Sequence, residues 1–246
     1  MKHSQAGWIS ATLFSAMLAT PNVHAAWHGI IGAENATTVQ PHSLSERNQV
    51  ETILQGSNLN FADLSIDNLT AAKWDKSGKL MIGRNWTYAY WNDHHGFSAD
   101  IIKGDFQGVG PRILSAGYAY KDCWEKACIR LNPALATLKI GNQTDSGVQF
   151  NLKWDYKFTD RFSAGFHPQY ATWKNDENGS TLKYEFNTTF SLGDTGKHKL
   201  MFVHERFAVN NRATGMKTRF VGEGDPIAGY VSGTESTIKL RYIYRF

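Results

Sequence analysis

The sequence has no run of apolar residues long enough for a membrane-spanning helix. No stretch after residue 25 approaches the roughly eighteen consecutive apolar side chains that such a helix needs. Proline is scarce, with 6 residues in 246, whereas glycine (22 residues) and aromatic side chains (13%) are frequent. This composition is typical of a β protein. The missing apolar run does not exclude a transmembrane barrel, because inward polar residues lower the hydropathy of every strand.

The N-terminus has the features of a secretory signal peptide. Lys2 is followed by an uncharged, mostly apolar run over residues 7–19, and small residues that a signal peptidase recognises end at Ala25. We expect cleavage after Ala25 and a mature single domain over residues 26–246. A buried N-terminal helix is the alternative interpretation of this segment.

Motifs for metal and nucleic-acid binding are also missing. The sequence has no CxxC or HExxH motif, and its formal net charge of +4 includes no basic run. We therefore expect no metal, no cofactor and no nucleic-acid partner. The two cysteines are Cys123 and Cys128. Because an exported chain meets an oxidising compartment, a small disulfide across a turn is favoured over free thiols.

Apolar and polar side chains alternate through the C-terminal half of the chain. In residues 146–158 every second side chain is apolar, and the charged and amide side chains between them share the other face. The pattern recurs in 161–173, 180–191 and 235–246. Alternation with a period of two predicts strands with one apolar and one polar face. Aromatic residues flank the turn at Thr159-Asp160, and short connections alternate with long ones. Both features favour a membrane barrel over a soluble β-sandwich, which is the alternative.

We predict an all-β fold, a transmembrane antiparallel up-and-down β-barrel of about twelve strands, with ten as the lower count that the pattern allows. An even count places both termini in the periplasm. Residues 61–72 are also compatible with a short helix or a loop. Arg84 and Glu205 fall on otherwise apolar faces, which lipid disfavours unless a β-bulge resets the register. The predicted strands lie near residues 27–34, 49–58, 66–74, 79–91, 96–104, 111–121, 132–141, 146–157, 161–173, 180–191, 197–209 and 235–246.

The chain resembles the small monomeric porins of the Gram-negative outer membrane. The resemblance is carried by the signal peptide, the dozen amphipathic strands, the strand–turn–strand segment "WDYKFTDRFSAGFHPQYATWKNDENG" and the terminal "YRF". It is similar to the oligogalacturonate-specific porin family and its OmpL-like relatives, and OmpG-like barrels are larger. The resemblance implies a monomeric twelve-stranded barrel that passes acidic oligosaccharides through a basic lumen. The terminal Phe246 also resembles the signal that the barrel-assembly machinery recognises.

The polar faces carry more cations than carboxylates. A positive lumen favours anions because the low-dielectric wall focuses the field into the channel. We therefore predict an outer-membrane channel for passive diffusion of small, preferably anionic solutes. The alternative is a polar lining that only keeps the interior wet. By alternation, the inward cations are Arg112, Lys139, Lys153, Lys157, Arg161, Lys183, Arg206, Lys239, Arg241 and Arg245, and the inward acids are Asp100, Asp155 and Glu185.

Two further functions stay open at the level of sequence. An outer-membrane enzyme acting on lipids needs a Ser–His pair, and Ser163 and His167 lie two steps apart on an inward face, away from lipid. Asp93-His94-His95 falls at a predicted periplasmic turn. A structural or adhesin barrel would bind its partner with loops 35–48 and 211–234. The second of these loops is also long enough to constrict the pore.

Overall fold

The computed structural model describes residues 26–40, 49–61, 64–75, 77–104, 112–176, 178–209 and 234–246. These residues form twelve strands. No helix in the described ranges is long and apolar enough to cross a membrane. The strands are β1 (Ala26–Gln40), β2 (Gln49–Phe61), β3 (Leu64–Asp75), β4 (Leu80–Tyr90), β5 (His95–Gly104), β6 (Arg112–Trp124), β7 (Ala127–Ile140), β8 (Gln143–Lys157), β9 (Phe162–Trp173), β10 (Ser180–Leu192), β11 (His198–Val209) and β12 (Thr234–Arg245).

The strands close into one antiparallel barrel. Each strand pairs with its neighbours in sequence, and β1 pairs with β12. The closure extends to the last residue, because Gly29 and Phe246 exchange two backbone hydrogen bonds of 3.2 and 3.0 Å. The predicted up-and-down topology and the count of twelve are confirmed. Strand β3 covers most of residues 61–72, where the sequence also allowed a helix or a loop.

The two rims of the barrel differ in their connections. The terminal rim, which carries Ala26 and Phe246, has short turns over residues 91–94, 125–126, 158–161 and 193–197. The opposite rim, here called the loop rim, has short connections over residues 76–79, 141–142 and 174–179, and it also has the longer segments 41–48, 105–111 and 210–233. Those three longer segments lie outside the described residues, as do the predicted signal peptide and nearly all of the predicted constricting loop 211–234. Short periplasmic turns and long external loops are the usual arrangement of bacterial barrels.

The outer surface is largely apolar over β8 to β12, and Arg206 of β11 is an exposed charged residue on it. Phe150, Phe186 and Leu240 point outward and are exposed, as the alternation predicts. An aromatic band follows the terminal rim, where the Phe158 and Phe162 rings lie 5.2 Å apart between centroids. Tyr156, Phe190 and Phe202 extend the band through further ring contacts. Apolar walls with aromatic bands at the rim are what a membrane and its interface select.

Strand β4 has the opposite polarity. Its aromatic face lies inside the barrel, and its outward face carries Gly83, Asn85 and Thr87. Asn85 donates a hydrogen bond of 2.8 Å to Thr70 of β3 and exchanges amide hydrogen bonds of 3.2 Å with Asn68. Arg84 therefore does not face lipid, because the aromatic face of β4 on which it lies is the lumenal face. No change of register is needed between residues 82 and 90.

Cys123 and Cys128 form a disulfide at the turn between β6 and β7, with the two Sγ atoms 2.12 Å apart. They are direct cross-strand partners at the terminal rim. The disulfide therefore links the two strands of the β6–β7 hairpin next to their turn, as the cysteine spacing predicts.

Candidate functional site: the barrel lumen

The barrel encloses a cavity of about 730 Å³. Among the described residues, eight Lys and Arg side chains and four carboxylates line it, so cations are in excess. Asp100, behind Arg84, and Asp155, beside Lys153, are further acids on inward faces. The lining cations are Lys73, Arg84, Arg130, Lys153, Lys183, Lys239, Arg241 and Arg245, and the lining carboxylates are Glu34, Asp67, Glu185 and Glu205.

One ionic cluster joins β1, β10, β11 and β12. Lys239 Nζ donates a hydrogen bond of 2.8 Å to Glu205 Oε2 and lies 3.9 Å from Glu34 Oε1. Arg241 Nε donates to Glu34 Oε2 at 2.7 Å, and Lys183 Nζ lies 3.4 Å from Glu205 Oε2. The Lys239 and Glu205 residues are only 5% and 4% exposed. Each carboxylate therefore faces two cations, which is the arrangement that makes a buried charge tolerable.

A second ion pair lies on the opposite wall. Arg84 Nε donates to both Asp100 oxygens at 3.0 and 3.2 Å, and Arg84 Nη2 lies 2.5 Å from Oδ2. The Arg84 guanidinium carbon lies 4.1 Å from the centre of the Trp86 ring. Two-pronged contact with a carboxylate and stacking on an aromatic face are both properties of arginine rather than lysine.

The lumenal aromatic stripe of β4 continues toward the terminal rim. The Arg130 guanidinium lies 5.1 Å from the Tyr88 ring, and Lys121 Nζ lies 3.9 Å from the Tyr90 ring. Trp86 and Tyr88 line the cavity, whereas Tyr90 is fully buried. The stripe thus combines flat apolar rings with fixed positive charges.

Five of the ten cations that alternation assigned to the lumen line the cavity: Lys153, Lys183, Lys239, Arg241 and Arg245. Their role in binding solutes stays a prediction. Lys153 Nζ lies 3.3 Å from Asp155, the next inward residue of β8. The predicted acid Glu185 also lines the cavity.

Two more of the ten lie at the terminal rim, outside the cavity lining. Lys157 Nζ is 2.7 Å from Asp160, and Arg161 pairs with Asp194 of the next turn along the rim. The hydrogen bond and the charge of Lys157 lower the pKa of the Asp160 carboxyl below its ordinary value. All four side chains are at least half exposed, so these pairs are ordinary rim contacts.

Three of the ten point away from the lumen, and their predicted position is wrong. Arg112 and Lys139 share the outer face with exposed Leu114 and Leu135, because both faces of β6 and β7 are apolar and alternation did not distinguish them. Arg206 lies on the outer face of β11 because its neighbour Glu205 points inward to Lys183 and Lys239. If the inward and outward faces of a strand are exchanged, every side chain of that strand is assigned to the wrong side of the barrel wall.

Sequence reasoning missed three lumenal cations, which are Lys73, Arg84 and Arg130. The position of Arg84 could be predicted from the sequence, because a charged residue on the same face as Trp86 and Tyr88 indicates that this face is lumenal. The opposite face, with glycine, asparagine and threonine, is compatible with that orientation. Nothing comparable marks Lys73 or Arg130 in the sequence.

The residues considered for an enzyme do not assemble into a hydrolytic site. His167 Nδ1 lies 3.2 Å from Gln169 Nε2 and across from Glu185, whereas Ser163 lies across from Thr189. His94 Nδ1 lies 3.1 Å from the Lys121 carbonyl oxygen at the terminal rim. No group of three or more potential metal ligands occurs in the part of the chain that the structure describes.

Neither a protein-family model nor a curated protein sequence matches the chain. Solved structures do. The NanC porin has a TM-score of 0.58 at 5% identity, with 87% of this chain and 98% of that chain covered. The KdgM porin has a TM-score of 0.52 at 10% identity, with 88% and 99% covered. A bacterial polysaccharide outer-membrane secretin has a TM-score of 0.50 at 6% identity, with 92% and 100% covered.

The fold is that of a small outer-membrane porin barrel. The sequence-based resemblance to the small porins is confirmed for the fold. At identities of 10% or less, these similarities concern the fold alone. The predicted outer-membrane location agrees with the fold and with the largely apolar outer surface of β8 to β12.

Proposed function

We propose that the chain is an outer-membrane channel for passive diffusion of small anionic solutes, with acidic oligosaccharides as the solute class. The observation that carries the proposal is the cavity lining, in which eight cations stand against four carboxylates among the described residues. A low-dielectric wall concentrates the field of this excess charge and raises the local concentration of anions. Passive diffusion of this kind requires neither a cofactor nor a second copy of the chain.

Acidic sugars fit the chemistry of the lining. Carboxylates are bound well by the planar fork of arginine, and Arg84, Arg130, Arg241 and Arg245 all reach the cavity. The rings of Trp86 and Tyr88 offer flat apolar surfaces beside these charges. A structure of similar fold is the KdgM porin in complex with disordered oligogalacturonate, with a TM-score of 0.51, 9% identity, and 88% of this chain and 99% of that chain covered. That complex supports testing the same solute class here.

We also propose two partners that locate the channel in the outer membrane, namely the surrounding lipid and the barrel-assembly machinery. Lipid surrounds the apolar wall, and β12 is the segment that we propose for recognition by the barrel-assembly machinery. Phe246 completes the closing strand pair through its backbone contact with Gly29.

Planar-bilayer recording of the purified, refolded protein tests the function. Discrete conductance steps with a preference for chloride over potassium are expected. Well-folded protein without any conductance would contradict the channel. Hydrolysis of a lipid ester by the same preparation, abolished by His167→Ala, would favour the enzyme instead.

A further inference from the structure

Three cations form a row on the outside of the barrel at the loop rim. Lys103 of β5 is the direct cross-strand partner of Arg112 of β6, and Arg112 is the partner of Lys139 of β7. All three residues are exposed. This cation row runs across three neighbouring strands at one level of the barrel.

A row of this kind needs a counter-anion. Neighbouring strands lie about 4.8 Å apart, and like charges placed directly opposite each other destabilise a sheet. Among the described residues, the flanking partners in the same row are Gly83 of β4 and Thr144 of β8, and neither is charged. The barrel therefore presents three positive charges without a described carboxylate beside them in the row.

The wall directly beside the row is apolar. One step toward the middle of the barrel, the partners are Ile101 and Leu114, which are 52% and 59% exposed. One step further lies Leu135, which is 74% exposed. The outer surface thus changes from strongly apolar to strongly cationic over a single step of side chains, about 7 Å along a strand.

We propose that the cation row and the apolar wall bind one lipid of the outer leaflet whose headgroup carries phosphate groups. The phosphate oxygens accept hydrogen bonds from Lys103, Arg112 and Lys139, and the acyl chains lie against Ile101, Leu114 and Leu135. The loop rim faces the cell exterior in the orientation usual for such barrels, so this lipid belongs to the outer leaflet.

A lipid satisfies both halves of this surface. A free phosphate ion would compensate the three cations and leave the apolar wall to other lipids, whereas a single phosphorylated lipid occupies both. Arginine can bind two phosphate oxygens at once, and each Lys or Arg near a membrane surface adds to the affinity for anionic headgroups. The site lies outside the lumen, so it goes beyond the proposed channel and does not depend on it.

Native mass spectrometry of the refolded full-length protein with added lipid tests the site. The probes are diphosphorylated lipid A, the same lipid without its phosphates, and sodium phosphate as a competitor. The test variant is Arg112→Gln/Lys139→Gln. The matched control is Lys126→Gln/Lys197→Gln, which removes the same charge from exposed turns at the terminal rim. The heat-modifiable mobility of each barrel on gels establishes folding, and Arg112→Gln alone serves as a milder variant.

The wild-type and control proteins should retain lipid A, and the test variant should bind it on the order of tenfold more weakly. The phosphate-free lipid should bind the wild type no better than lipid A binds the test variant. Equal retention of lipid A by wild type and test variant would overturn the site. Binding of sodium phosphate that displaces lipid A completely would overturn the assignment to a lipid. Conductance should be the same for both double variants, which separates this test from that of the channel.

Discussion

Lys239 and Glu205 form a buried hydrogen-bonded ion pair of 2.8 Å between β12 and β11, within the lumenal wall. Glu205 also contacts Lys183, and Lys239 lies within reach of Glu34. The lumenal wall therefore carries both positive and negative side chains rather than positive ones alone. Glu34 and Glu205 each lie between two cations, and the net positive charge is what the lumenal ion pairs leave uncompensated.

Removing the charge of Lys239 is expected to destabilise the barrel. Lys239→Met leaves Glu205 and Glu34 buried with one cation fewer, and breaking a buried pair from one side costs about 3 kcal/mol of the free energy of unfolding. Urea unfolding of the reconstituted protein, followed by tryptophan fluorescence, measures this loss. Lys157→Met removes an exposed pair and should lower the free energy of unfolding far less, because solvent screens that pair. Similar losses for the two variants would refute this view of the cluster, and Lys239→Met/Glu205→Gln should regain part of the loss.

The aromatic stripe is expected to matter for sugars and not for small ions. Trp86→Ala removes a lumenal ring that contacts Arg84, so block of the chloride current by trigalacturonate should weaken on the order of fivefold. Trp154→Ala removes an outward ring of the same type and should leave the block unchanged. Titration of the block in single-channel recordings compares the two variants. An unchanged block in Trp86→Ala would exclude the stripe from solute binding.

The disulfide is expected to contribute modestly to stability. Cys123 and Cys128 are five residues apart, so their bond closes a very small loop in the unfolded chain. Cys123→Ser/Cys128→Ser should lower the free energy of unfolding by about 2 kcal/mol or less, with unchanged conductance. Failure of the double variant to form a heat-modifiable barrel would show a larger role, in assembly.

The exposed pair Lys157–Asp160 gives a prediction about pH. Since the folded-state pKa of Asp160 is lowered, the stabilisation is present above the unfolded-state value and is lost as the pH falls through the folded-state pKa. Lys157→Ala should return the Asp160 pKa toward its ordinary value. Carboxyl NMR titration of the barrel in detergent micelles checks this, and an identical titration in the two proteins would show that Lys157 is not the cause.

The sequence predicts most of the fold because alternation and turn residues are local signals. The last strand shows this best, since Lys239, Arg241 and Arg245 lie inside and Leu240 and Tyr242 outside, as alternation requires. Alternation fails where both faces of a strand are apolar, which is how Arg112 and Lys139 were assigned to the wrong side. It cannot show ion pairing either, because partners such as Glu34 and Arg241 are brought together only when the barrel closes.

The central claim is that the cations lining the cavity make the channel selective for anions, and the reversal potential in a KCl gradient tests it most directly. Of four cations that the alternating pattern predicts to face the lumen, only two do so in the structure. Lys153 and Arg245 line the cavity, whereas Arg112 and Lys139 lie outside it. The wild type should be anion-selective. Lys153→Glu/Arg245→Glu should shift the reversal potential toward that of potassium, and Arg112→Glu/Lys139→Glu, with the same change of charge, should leave it at the wild-type value. A cation-selective wild type, or equal shifts in the two variants, would contradict the account.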